Sequence, residues 1–263
     1  MTMHYAGWMP PIKKHGSDPD GLYYAFELET CLGSASESDI DPYTEDVGER
    51  TNGFCWFTDD CSVSGPEITS HPASWPWYQD HREWLEETLL RPTKEYGFVA
   101  YAARRSCGMH IHADKVLPPK QHYMLYRLVY GHPDWAVQIS ERTAANLQSW
   151  ANVFSSTNQN AKSWHQGART RFRNTRAIYG RPGGAISNHG NTLEFRMFNG
   201  NLSPEGFHRN IQKCAAMHHF VKAVRVQDAN PRAFHNFVYD NAQDYPELRI
   251  VTGKQIPVEH AEL

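Results

Sequence analysis

The chain has 263 residues, 40% of them hydrophobic, which is enough to bury the core of one domain. Lys and Arg total 26 against 29 Asp and Glu, and the resulting formal charge of −3 argues against a broad polyanion-binding surface, so no nucleic-acid partner is expected. No apolar run approaches the roughly 20 residues of a membrane helix, and the opening MTMHYAGWMPPIKKHG lacks the order of a signal peptide, so a cytoplasmic protein with no membrane partner is expected.

The five cysteines, Cys31, Cys55, Cys61, Cys107 and Cys214, are odd in number, scattered and without a C-x-x-C pair. They read as free thiols rather than as a disulfide framework or a zinc knuckle. Leu22 to Leu28 reads as an aromatic and apolar strand with Glu27 and Glu29 at its end. Gly33 to Gly53 turns to Ser, Asp, Glu and Gly and predicts a long solvated loop or mobile flap, the least ordered stretch of the chain. Phe54 to Phe57 and Ser62 to Thr69 predict two short strands joined by Asp59-Asp60-Cys61, with a bend or bulge at Gly65-Pro66. An aromatic, proline-bearing loop is expected through Trp75 and Trp77.

Asp80 to Leu90 and Pro118 to Tyr130 carry apolar residues at helical spacing, while Phe98 to Arg104 and Met109 to Ala113 between them are strand-like. Pro133 to Phe154 predicts one long helix or two stacked ones, and the polar stretch from Ser155 to Gly167 a loop that could serve as a second flap. A basic segment from Arg169 to Ile178 precedes a strong strand, Thr192 to Phe198. Ser203-Pro204-Glu205 then opens a helix to about Val226, and a last helix runs from Pro231 to about Ala242. One domain spanning 1–263 is expected, with a core at about 22–226 and a helical tail at 227–263.

Residues two apart on a strand share a face. Glu27 pairs in this way with Glu29, His110 with His112, and Glu194 with Arg196, each against an apolar opposite face. Any one pair is an ordinary half-buried strand with its polar side in water; three together point to a bound group, because ionisable residues on a concave face are costly unless they bind something. With the acids Asp60 and Glu67 the set becomes Glu27, Glu29, Asp60, Glu67, His110 and Glu194, a hard, oxygen-rich inventory suited to magnesium or manganese and, from its carboxylate count, to more than one ion. An oxygenase reading of the H-x-H pair lacks the glutamate expected a few positions on, and a nucleophile elbow, a P-loop and a dinucleotide fingerprint are absent. Arg169, Arg171, Arg173, Arg176 and Arg181 form either a solvated basic face or a source of cations for phosphate, and Arg196 shares the strand face of Glu194.

Four separated motifs, in order, resemble the amidoligase family, relatives of glutamine synthetase and glutamate-cysteine ligase. Phe26-Glu27-Leu28-Glu29 is similar to its first-strand acid pair, and Asp60-Cys61-Ser62 with Pro66-Glu67-Ile68-Thr69-Ser70 to its D-x-S and E-[LI]-x-S elements. Cys107-Gly108-Met109-His110-Ile111-His112 resembles its C-G-x-H-V-H strand, and Thr192-Leu193-Glu194-Phe195-Arg196 its T-x-E-F-R element. The resemblance spans roughly Tyr24 to Val226 and implies an α+β fold with a curved antiparallel sheet of the glutamine synthetase catalytic type, helices on its convex side, and ATP with magnesium or manganese on the other.

By that likeness Glu29, Asp60 and Glu67 would surround one ion, and Glu27, His110 and Glu194 another. Arg196 and an arginine among Arg171, Arg173 and Arg176 would steady phosphate and the transferring group, with His112 tuning His110 or contacting substrate. The implied reaction phosphorylates a substrate carboxylate with ATP and lets an amine attack the acyl phosphate, on a peptide, protein or amino-acid substrate. Phosphoryl transfer to a guanidinium group on the same sheet, and a non-catalytic nucleotide-binding or virion-associated module, are the competing expectations.

Overall fold

The computed structural model describes residues 10–59, 62–101, 106–153, 184–189 and 191–248. In chain order these form β1 (Tyr23–Glu29), β2 (Cys31–Leu32), α1 (Ile40–Arg50), β3 (Cys55–Thr58), β4 (Glu67–Ser70), β5 (Ala73–Ser74) and α2 (Trp75–Asp80). Then come α3 (Arg82–Leu85), a π-helical stretch Glu86–Leu90, α4 (Arg91–Glu95), β6 (Phe98–Val99), β7 (Gly108–Asp114), α5 (Pro119–Tyr130), α6 (Pro133–Ser140) and α7 (Ala144–Trp150). The described chain ends with β8 (Ile186–His189), β9 (Thr192–Asn199), α8 (Pro204–Ala223) and α9 (Pro231–Asp240).

The fold is α+β around one antiparallel sheet in the order β3-β4-β1-β7-β9-β8, with β5 also on β1 and a separate ribbon of β2 and β6. Alternation along the central strands produces its two faces. Tyr24, Phe26 and Leu28 of β1, Met109, Ile111 and Ala113 of β7, and Leu193 and Phe195 of β9 are all fully buried on one side. Helix α8 lies against that side, with the ring of Phe207 edge-on to Phe26 at 5.0 Å and His218 at 5.5 Å from Phe195. Ser203 caps α8 by accepting from the Gly206 N–H at 3.1 Å, with proline in its first turn as the sequence predicts.

Two expectations are overturned. The acidic stretch from Gly33 to Gly53 is no loop: α1 occupies 40–50 and buries Tyr43 and Val47 completely. A few apolar residues at i, i+3 and i+7 (Ile40, Tyr43, Val47) suffice, because Tyr43 packs on Phe98 at 4.6 Å and Phe57 at 5.3 Å and its hydroxyl meets Thr93 Oγ1 at 2.8 Å. The aromatic stretch at Trp75 and Trp77 is also helical, started by Ser74 Oγ accepting from the Trp77 N–H at 3.3 Å.

Smaller differences are local. The strand after Gly65-Pro66 begins only at Glu67, and the helix expected to end at Leu90 continues to Glu95. Its π-helical widening falls just before Pro92, whose ring cannot follow an undistorted α-helical turn. The helical segment after Pro133 divides in two at Glu141, which has φ 57°. Strand β6 is only two residues long. Asp60, Cys61, the expected flap at 155–167 and the basic segment at 169–181 lie outside the described residues. Cys31, Cys55, Cys107 and Cys214 are free and buried. No helix among the described residues is long and apolar enough to cross a membrane.

Candidate metal centre

The face of the sheet opposite α8 carries the polar residues in rows fixed by register. Glu29 stands opposite Glu67, which stands opposite Thr58. Glu27 stands between Thr69 and His110, and His112 opposite Glu194, which is opposite Ser187. Strands β4, β1, β7 and β9 thus bring acids and imidazoles from four separated segments onto one surface, and β8 adds Ser187.

A bulge makes this alignment possible. Met109 pairs with Phe198 but Ile111 pairs with Phe195, so Arg196 and Met197 together oppose the single His110. Without the extra residue, the same pairing at Met109 would place Glu194 opposite Ala113, on the apolar face. With it, Glu194 lies beside His112 while Phe195 and Phe198 both remain buried. The Arg196 N–H is satisfied by the Ala185 carbonyl at 2.9 Å.

The resulting cluster is tight. One ligand atom each from Glu27, His112 and Glu194 lies within 4.8 Å of the others, a spacing that one metal ion could span. Nε2 of His112 is 3.1 Å from Glu27 Oε1. His110 sits among three carboxylates, with Nδ1 3.3 Å from Glu27 Oε2 and 3.5 Å from Glu194 Oε1, and Nε2 3.7 Å from Glu29 Oε1. Arg196 donates to Glu194 Oε1, and Ser187 Oγ donates to its other oxygen at 2.6 Å. Glu67 Oε1 accepts from the Thr58 hydroxyl at 3.0 Å.

Burial alone would raise the pKa of Glu27, yet hydrogen bonds from His110 and His112 reverse this and hold its carboxyl well below the usual range. Glu194 is shifted down in the same way: burial opposes, but the Ser187 hydrogen bond, the Arg196 charge and the two imidazoles prevail. For His112 burial lowers the pKa, and the Glu27 hydrogen bond with the charges of Glu27 and Glu194 raises it above the ordinary value. Two carboxylates with an imidazole form a hard donor set that fits magnesium or manganese.

Of the residues singled out from sequence, Glu27, Glu29, Glu67, His110, His112, Glu194 and Arg196 share this face; Asp60, Arg171, Arg173 and Arg176 lie outside the described residues. The spacing-compatible triad contains His112, whereas the resemblance implies His110 beside Glu27 and Glu194. Alternation puts both histidines on one face; the bulge decides which is directly across from Glu194.

Three participants carry no mark in the sequence reading. Ser187 lies on β8, an element that His189-Gly190-Asn191-Thr192 could have signalled as a two-residue hairpin loop between strands. Arg142 is buried beside Gly108 and Glu29, and no local pattern announces it. Thr58 is noticed only through its register with Glu67.

No protein-family model matches the chain, and no curated protein matches it significantly.

Proposed function

We propose that the chain is an ATP-dependent carboxylate-amine ligase of the amidoligase type, built on a sheet like the catalytic sheet of glutamine synthetase. The observation that carries this reading is the Glu27, His112 and Glu194 cluster beside Arg196, on one face of an antiparallel sheet, with three of the four sequence motifs supplying its residues. A carboxylate approaching ATP meets charge repulsion, and bound magnesium would supply the neutralisation that carboxylate ligands alone cannot.

Glu27, His112 and Glu194 would hold that ion, with His110 and Glu29 alongside. Ser187 and Arg196 orient the Glu194 carboxylate from both oxygens, which fixes it for metal binding. The Arg196 side chain is 30% exposed and offers its remaining donors to phosphate oxygens, with arginines from 171–176 as further candidates. The amine and acid are a peptide, protein or amino-acid pair in this reading.

The test is purified protein with ATP and magnesium, supplemented with pools of amino acids, polyamines and peptides, following ADP and phosphate release and condensation products by mass spectrometry. ADP release coupled to an amide product is expected. A phosphoguanidine product would assign the phosphotransferase chemistry instead, and failure to bind ATP with magnesium would overturn both.

A further inference from the structure

Arg142 is 5% exposed, an unusual position for a cation that among the described residues has only one carbonyl as a close acceptor: Nε donates to Phe198 O at 3.0 Å, while Nη1 meets no hydrogen-bond partner among them. What faces it is the first residue of β7. A Cβ built on Gly108 would collide with Arg142 Nη2 and lie 3.2 Å from Glu29 Oε2, so guanidinium and carboxylate flank the space that glycine leaves empty. The Gly108 N–H donates to the same Glu29 oxygen, and the other oxygen faces His110. Burial lowers the Arg142 pKa, and the Glu29 charge opposes that shift.

The point from which Arg142 springs is also fixed. Glu141, in the left-handed turn between α6 and α7, accepts from Arg209 Nε and Nη2 at 2.6 and 2.8 Å and from the fully buried Lys213 at 2.7 Å, tying the turn to α8. The backbone N–H of Arg142 donates to Ser140 Oγ at 3.1 Å. A mobile side chain would need none of this support.

We infer that Arg142 is a positioning residue of the metal centre, acting through Glu29: its charge, across Gly108, favours the orientation in which one carboxylate oxygen accepts from the Gly108 N–H and the other is directed at His110. The consequence for metal binding rests on the reading of this cluster as a metal centre. Gly108 is the matching requirement, since any side chain there displaces the guanidinium.

The experiment measures Mn2+ affinity by calorimetry, and thermal unfolding without metal, for the wild-type chain and for Arg142→Gln, Arg142→Lys, Gly108→Ala, Glu29→Gln and the double variant Arg142→Gln with Glu29→Gln. Loss of an outer-sphere partner typically weakens a metal site by about 10 to 100-fold. A loss of about that size is expected in both Arg142→Gln and Gly108→Ala, the latter with every charge retained, and a smaller one in Arg142→Lys. Arg142→Gln removes the cation that faces buried Glu29, so the double variant is expected to melt higher than Arg142→Gln alone.

Wild-type Mn2+ affinity in folded Arg142→Gln and Gly108→Ala would overturn the inference. If the wild-type chain binds no Mn2+, the metal reading fails, and the pairing of Arg142 with Glu29 is then decided by the melts: additive effects of the two substitutions would overturn it. Should Arg142→Gln not fold, the Gly108→Ala and Arg142→Lys affinities carry the same decision.

Discussion

Two groups of histidines, both out of solvent, behave in opposite ways. His112 stands on the acid-bearing face of the sheet, and Glu27 and Glu194 raise its pKa against the effect of burial. His122, His208 and His218 are buried on the helical side, where burial dominates and lowers them to about 4, 4 and 3. His218 is fully enclosed, with Nδ1 2.8 Å from the Cys214 carbonyl and its ring against Tyr24 and Phe195. Burial explains an ordinary neutral core histidine. Converging carboxylates set His112 apart, and that convergence, rather than the histidine count, separates the acid-bearing face from the core.

The sharpest way to break the comparison is to remove the carboxylates. Glu27→Ala or Glu194→Ala is expected to lower magnesium-dependent ATP turnover by at least about 100-fold while the fold persists with some loss of stability without metal, since the imidazoles and Arg196 lose a carboxylate partner. Turnover assays paired with thermal melts check this, and unfolding of both variants would remove the site from consideration. Arg196→Ala follows, with an expected cost of about 3 kcal/mol in the barrier if its free donors meet developing phosphate charge. Unchanged kcat would take Arg196 out of the mechanism.

The core histidines predict a pH effect of comparable size. Their native pKa values lie below 6.5, so between pH 6.5 and about 4 the unfolded chain binds more protons and the native state loses stability as pH falls. Each unit of depression corresponds to about 1.4 kcal/mol. Denaturant melts across that range should show the decline, and His218→Leu should make it shallower; an identical slope in the variant would contradict the assignment.

The smallest expected effect is the most discriminating. In metal-free Glu27→Gln, His112 loses its principal hydrogen-bonding anion, so its pKa should fall toward the values of the core histidines, as followed by proton NMR of the imidazole ring. In the wild-type chain the raised value contributes stability below pH 6.5 that disappears as pH rises through the folded pKa, the reverse of the core group. A His112 titration insensitive to Glu27→Gln would show that the two groups are not distinguished by their carboxylates.

Much of the fold was legible where local rules act alone. The alternation in β1, β7 and β9 and the Ser203-Pro204 start of α8 follow from side-chain direction and capping, which depend on a few neighbouring residues. Helix α1 was not legible, because Tyr43 is held by the rings of Phe57 and Phe98 and the hydroxyl of Thr93, all outside the helix, while its acids describe only its wet side. Local composition misled where long-range packing paid the entropy of ordering.

The candidate site divides in the same way. By itself the sequence determined which residues could share a face, Glu27 with Glu29, His110 with His112 and Glu194 with Arg196, since the pleat of a strand admits no other pairing two residues apart. Tertiary structure decided which strands became neighbours and placed the bulge that sets Glu194 beside His112. It also delivered Ser187 from β8 and Arg142 from the turn after α6. Register and non-local contact are properties of the packed sheet, and no window of sequence short enough to read as a motif contains them.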